Sequence, residues 1–91
     1  MDVTHDPAAH RFTVTLAEGG GSLHYRVMTD GVLDLFHTEV DPGLQGRGVA
    51  GALAQAAFDY LRANGLKAKI TCPYVRKWLE RHPEERDLVA R

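Results

Sequence analysis

Leu44-Gln45-Gly46-Arg47-Gly48-Val49-Ala50 is the stretch on which the fold turns. Behind it, Val32–Val40 reads as a strand that Asp41-Pro42-Gly43 ends. Ahead of it the period changes. Between Val49 and Ala63 the polar residues are Gln55, Asp59 and Arg62, whose spacings of four and three place them on one helical stripe. The rest of that segment is small or apolar, as in a helix packed across a sheet. The stretch therefore joins a strand to a helix. The first N–H groups of a helix have no intrahelical partner and sit at the positive end of its dipole. Glycine lets an anion approach that backbone closely, so a pyrophosphate fits on the amides of Gly46–Ala50. Arg47 adds a charge, but the amides supply the geometry.

Working outward, Arg11–Leu16 alternates, with Phe12, Val14 and Leu16 on one face. Glu18-Gly19-Gly20-Gly21 reads as a chain reversal and Leu23–Thr29 as a second strand. Asp30-Gly31 is a two-residue hairpin signal leading into the third strand, Val32–Val40. Asp2–Ala9 reads as a polar entry segment. Beyond the helix, Asn64-Gly65 is a stop and Leu66–Thr71 a short fourth strand. Strand, helix, strand predicts a crossover with the fourth strand parallel to the third. Tyr74–Arg81 reads as a second helix with Val75, Trp78 and Leu79 inward, His82-Pro83 as its end, and Glu84–Arg91 as a charged tail. The expected fold class is α+β, or α/β: an antiparallel three-strand meander plus one parallel strand, in a single domain spanning residues 1–91 without repeats or low-complexity runs.

Ninety-one residues with 44% hydrophobic and 25% charged composition are ordinary for a folded domain with one modest core. A net charge of -1 gives no global field for nucleic acid or an anionic membrane, although Arg62–Arg81 is locally basic. One cysteine excludes an intramolecular disulfide and points to a reduced, cytoplasmic setting. The first residues lack the charged and apolar regions of a secretory signal, and no apolar stretch is long enough to span a bilayer. No pair of His, Cys or acidic residues has metal-ligand spacing, so no metal is expected.

The loop has no Gly-Lys-Ser or Gly-Lys-Thr, and it lacks the three spaced glycines of the dinucleotide fingerprint. Its spacing is Gln-x-x-Gly-x-Ala. This resembles the acetyl-CoA loop of the GCN5-related N-acetyltransferases, on Gln45, Gly48 and Ala50. His37-Thr38-Glu39-Val40-Asp41-Pro42, Cys72-Pro73-Tyr74-Val75 and Arg81-His82-Pro83-Glu84 extend the likeness to the short, single-domain branch of that superfamily, over roughly Leu33 to Glu84. Family members usually carry an aromatic where Glu85 stands. Larger members have extra N-terminal helices that often build the acceptor site. This sequence lacks them, which implies a shallow, open acceptor face.

The resemblance implies that the third and fourth strands splay at their C-terminal ends. Acetyl-CoA would bind there through Glu39, Val40, Gln45, Gly46, Arg47, Gly48, Val49 and Ala50, with pantetheine pairing near Glu39 and Val40 like an added strand. It also implies the Val40 N–H as an oxyanion donor, and transfer of acetyl to a small-molecule or peptide amine. His37 and Glu39, two apart on a strand, share a face. Either is a candidate base; an unperturbed histidine side chain suits that role near neutral pH, whereas Glu39 needs a raised pKa. Cys72 ends the fourth strand and is expected across the gap from His37. There it would protonate the departing thiolate, accept the acetyl group, or only line the site. Tyr74 has two readings, the acid that other acetyltransferases of the family draw from a tyrosine, or a ring packed at the helix start, with the second preferred; Trp78 is read as core, His5, His10 and His24 as surface or strand residues, and His82 as a helix terminus. Two other functions remain open: a non-catalytic acyl-CoA-binding module, which needs the loop but not His37, Glu39 or Cys72, and a structural protein that keeps the fold without the ligand.

Overall fold

The computed structural model describes all residues, 1–91. Five strands form one sheet in the order β1-β2-β3-β4-β5. They are β1 (Thr4–Asp6), β2 (Arg11–Leu16), β3 (Gly19–Val27), β4 (Val32–Val40) and β5 (Lys67–Ile70). The helices are α1 (Val49–Ala63) and α2 (Pro73–Arg81), with 3-10 turns at Pro42–Leu44 and Pro83–Leu88. The first three pairings are antiparallel, and α1 carries the chain across to β5, which pairs parallel to β4. The mixed sheet, the crossover helix and the short second helix follow the sequence pattern.

Three details differ from it. The entry segment contains β1, which pairs with β2 and places His5 inside the fold. His5 stacks on Phe12 at 4.2 Å and its Nε2 lies 2.7 Å from Tyr25 Oη. A strand of three residues carries too little pattern to announce itself. Second, the β2–β3 reversal is made by Ala17 and Glu18, and the glycine run belongs to β3. The run serves close approach: a Cβ on Gly21 would lie 2.8 Å from Val49 Cγ1. Gly21 thus lets the start of α1 settle on the sheet. By contrast Asp30 and Gly31 form the expected hairpin turn, both with positive φ (51° and 76°), as a two-residue type I′ turn requires.

Third, the charged tail is docked. Leu88 and Glu85 are buried, Val89 bridges Ala68, and the Ala90 N–H donates to the Ala68 carbonyl at 2.7 Å. This covers the open edge of β5. The polar stripe of α1 is what holds the tail. Arg62 Nη2 donates to Glu85 Oε1 at 2.9 Å and to Asp87 Oδ1 at 2.9 Å, and Gln55 Nε2 donates to Glu85 Oε2 at 2.9 Å. Glu85 thus has two hydrogen-bonding partners on α1.

Those bonds, Arg62 first and Gln55 second, hold the Glu85 carboxyl below its ordinary value of 4.5. Ionised Glu85 therefore stabilises the fold fully above about pH 4.5, and the contribution is lost as pH falls below that through the folded-state value. Glu85→Ala should cost about 1–2 kcal/mol at pH 7 and flatten the loss of stability between pH 5 and 3, read from urea midpoints. A variant as stable as the parent at pH 7 would remove the tail anchor from this account.

The core is one cluster. Phe12, Val14, Leu23, Tyr25, Leu33 and Leu35 line one face of the sheet beneath Leu53, Phe58 and Leu61 of α1 and Val75, Trp78 and Leu79 of α2. Phe58 and Trp78 stack at 5.4 Å, so both helices share that face.

Candidate functional site at the open end of the sheet

The parallel pairing of β4 with β5 covers Val32–Leu35 against Lys67–Ile70 and then stops. The N–H groups of Thr71 and Cys72 both close on the Leu35 carbonyl. β4 runs on through Val40 with no strand paired to it on that flank. The strands have parted, which frees backbone groups on that flank of β4, although the Val40 carbonyl already accepts from the Gln45 side chain. A cleft of ≈ 450 Å³ occupies the opening, lined by Thr38 and Val40, by Leu44, Gln45, Gly46 and Gly48 of the loop, and by Tyr74.

The loop holds a shape of its own. The Arg47 N–H donates to the Leu44 carbonyl, and the Gln45 side chain reaches back to the Val40 carbonyl at 3.4 Å. Arg47 pairs with Glu18 at 2.9 Å, which fastens the loop to the β2–β3 turn. Gly46 and Gly48 have φ of 82° and 80°, the left-handed region that disfavours side chains. The first helical bond runs from the Ala52 N–H to the Gly48 carbonyl. The N–H groups of Gly48, Val49, Ala50 and Gly51 consequently have no backbone partner. A Cβ built on Gly46 or Gly48 meets nothing within 4 Å, and Gly48, Val49, Ala50 and Gly51 all line the cleft. Four free amides at a helix start beside open space suit a pyrophosphate.

A bulge in β4 decides what else reaches the cleft. Tyr25 pairs with Leu35 and His24 with His37, which leaves Phe36 without a partner. Two residues opposite one reset the alternation. Leu33 and Leu35 face α1, and beyond the bulge Thr38 and Val40 do so, not His37 and Glu39. His37 and Glu39 share the opposite, exposed face with Ser22 and His24. His37 Nε2 is 3.5 Å from Glu39 Oε2, His24 Nε2 is 3.5 Å from Glu39 Oε1, and Ser22 Oγ donates to Glu39 Oε1 at 3.2 Å. The Ser22 hydroxyl, then His37 and His24, hold the Glu39 carboxyl below its ordinary value. Glu39 therefore stays an ionised acceptor rather than a base tuned toward neutrality.

Cys72 is buried at the end of β5, and its Sγ lies 3.4 Å from Thr38 Oγ1. Its hydrogen-bonding neighbour is Thr38, not His37, and Thr38 stands between the thiol and the cleft. Tyr74 lies in the first turn of α2 and forms one wall of the cleft. Burial raises its hydroxyl above the ordinary value, so it remains protonated at neutral pH. Thr38 and Tyr74 are the site residues that sequence reasoning passed over or set aside. Thr38 could not be placed without knowing the bulge. Tyr74 had a signal, a phenol one residue after the Cys-Pro that ends a strand. No group of three or more His, Cys, Asp or Glu residues is placed to hold a metal.

A strand opened by a bulge, a neighbour that diverges from it, and a helix starting at the gap form the arrangement of a GCN5-related N-acetyltransferase fold. Residues 11–88 match the description "GCN5-related N-acetyl-transferase", and the chain belongs to that family. It is 39% identical over 83 residues to human Protein NATD1, covering 89% of this chain and 74% of the human one. It is 38% identical over 85 residues to chicken Protein NATD1, covering 91% and 77%. The fold is also that of a GCN5-like N-acetyltransferase candidate from Staphylococcus aureus solved by NMR. The TM-score is 0.71 at 20% identity, covering 98% of this chain and 87% of the other. No helix is long and apolar enough to cross a membrane.

Proposed function

We propose that the whole chain, residues 1–91, works as one minimal domain that binds acetyl-CoA in the β4–β5 opening and passes the acetyl group to an amine. The observation that carries this is the continuity of the opened β4 flank with the free amides of Gly48–Gly51. Bound there, acetyl-CoA would supply an acetyl thioester that a neutral amine attacks, with release of the thiol. The chain's own groups divide the remaining work. The amides hold the pyrophosphate, Gln45 fixes the loop, and the unpaired edge near Glu39 and Val40 pairs with the pantetheine amides. The Val40 N–H is the donor we assign to the thioester oxygen as charge develops on it. Tyr74, protonated and facing the cleft, is the nearest proton source for the leaving sulfur. Cys72 would act only through Thr38. His37, held by ionised Glu39, is the base we assign to the acceptor, which would arrive on the exposed polar face of the sheet.

That division also supports the second reading, a non-catalytic acyl-CoA-binding module, because His37 and Glu39 lie on the other face from the cleft. Calorimetric titration with acetyl-CoA, and with CoA for comparison, tests the shared part. Saturable micromolar binding is expected, and none at millimolar ligand would sink both readings. Thiol release in the presence of small amines and lysine peptides then separates them. For the enzyme, His37→Ala should lower kcat by about 10²–10⁴ with acetyl-CoA affinity unchanged. Binding without any transfer would leave the module.

A further inference from the structure

The face of the sheet turned away from the helices carries a trough of ≈ 370 Å³. Its floor is bare because of a glycine. Side chains on β3 alternate, so Ser22 points to this face, Gly21 toward Val49 of α1, and Gly20 to this face again, with nothing to fill the space. Thr13 and Thr15 of β2 line one side of the trough, and Glu39 and Asp41 line the other. The register puts Arg11 at one end, beyond Thr13 and Thr15. Val40 lines both this trough and the cleft on the helix side, so only the end of β4 separates the two.

Opposite corners of the trough carry opposite charge. Ser22 Oγ donates to Glu39 Oε1 at 3.2 Å, and the Gly20 N–H donates to Asp41 Oδ2 at 2.8 Å. Neutral donors thus hold both carboxylates in place, and neither pairs with a lysine or an arginine. At the other corner Arg11 is exposed and takes part in no ion pair. Arg26, the neighbouring arginine on β3, is occupied by Asp34 and by the Phe36 ring. The Arg11 guanidinium therefore has its donor fork free for a carboxylate. Glu39 and Arg11 stand on strands two spacings apart and two residues out of register, about 10 Å across the sheet and about 7 Å along it. An α-amino acid, whose two charges are neighbours, would meet one corner only. A chain of several carbons between amine and carboxylate would meet both.

Resting on the acetyl-transfer reading, we infer that this trough takes the acceptor and that the acceptor is an ω-amino carboxylate, its amine at Glu39 and Asp41 and its carboxylate on Arg11. The amine then lies beside His37, whose Nε2 is 3.5 Å from Glu39 Oε2, and beside Val40, across which the thioester is reached. The N–C bond forms as the C–S bond breaks. The ammonium nitrogen loses two protons in all: one leaves to solvent through His37, and one replaces the proton that Tyr74 gives to the sulfur. Arg11 takes no part in those steps. It selects the acceptor and holds it.

Thiol release from acetyl-CoA by the full chain tests this, with 6-aminohexanoate, hexylamine and glycine as acceptors. 6-Aminohexanoate and hexylamine present the same primary amine on a similar chain and differ in the carboxylate. The parent should use 6-aminohexanoate with kcat/KM about tenfold or more above hexylamine, the difference lying in KM. Glycine, which keeps the carboxylate without the length, should fall below 6-aminohexanoate. Arg11→Gln should raise KM for 6-aminohexanoate and bring the two chain amines within about twofold of each other, with kcat held. Arg11 is exposed at the start of β2, so the variant is expected to fold, and its turnover of hexylamine verifies it. Equal use of the two chain amines by the parent, a preference that survives Arg11→Gln, or glycine used as well as 6-aminohexanoate would each overturn the trough assignment and leave acetyl transfer standing. Turnover of lysine peptides but of none of the three would do the same. No turnover of any amine by a chain that binds acetyl-CoA would remove the transfer reading, and this inference with it.

Discussion

Gly48→Leu is expected to abolish acetyl-CoA binding and to leave the chain folded. Gly48 caps α1 with φ 80°, a conformation that costs a residue with a Cβ about 1–2 kcal/mol. Nothing lies within 4 Å of the Cβ position, so the side chain enters no wall of the protein. Gly48 lines the cleft beside the amides of Val49–Gly51, so added bulk there is expected to block the ligand. Affinity should fall by about 100-fold or more, while the melting temperature drops by only about 4–16 °C. Gly43→Leu serves as the control. It also has open space at its Cβ and lies in the preceding 3-10 turn, but it does not line the cleft and has no positive φ. Gly48→Ala, with the same backbone cost and little bulk, separates backbone strain from blockade. Acetyl-CoA affinity of Gly48→Leu within about threefold of the parent would show that the amides hold nothing.

Phe58→Ala removes the side chain on which both helices meet. Phe58 is fully buried, and it stacks on Trp78, which stacks in turn on His82. Truncation of such a side chain costs about 3–5 kcal/mol, from lost transfer energy and the cavity left behind. A domain of this size holds about 5–15 kcal/mol in total, so the variant sits near its unfolding limit at 37 °C. Trp78 is the single tryptophan and lies against the altered site, so its fluorescence reports the urea transition directly. Phe58→Leu, which keeps most of the volume, should cost well under half as much. A loss below about 1 kcal/mol in the alanine variant would mean that α2 is not anchored through this contact.

Sequence patterns written in local periodicity were legible. Val49–Ala63 showed its helix because fifteen residues repeat one period, and Asp30-Gly31 showed its turn because few other pairs accept two positive φ values. The loop was legible for a similar reason: a glycine pair between strand and helix constrains the backbone locally. The docked tail was not. Glu84–Arg91 is polar enough to read as solvated, and only Arg62 and Gln55, far back in the chain, make Glu85 an interior residue.

The sequence by itself determined the order of elements, the parallel crossover and the place of the glycine loop at the start of the long helix, because each follows from patterns within a short span. Only the tertiary structure decided which side chains share the cleft. One unpaired residue, Phe36, turns Thr38 and Val40 toward the opening and His37 and Glu39 away from it. Strict alternation would have placed His37 and Glu39 with Leu33 and Leu35. A bulge arises from how two strands settle against each other and against the helices, so it leaves no mark in the residues of one strand read alone.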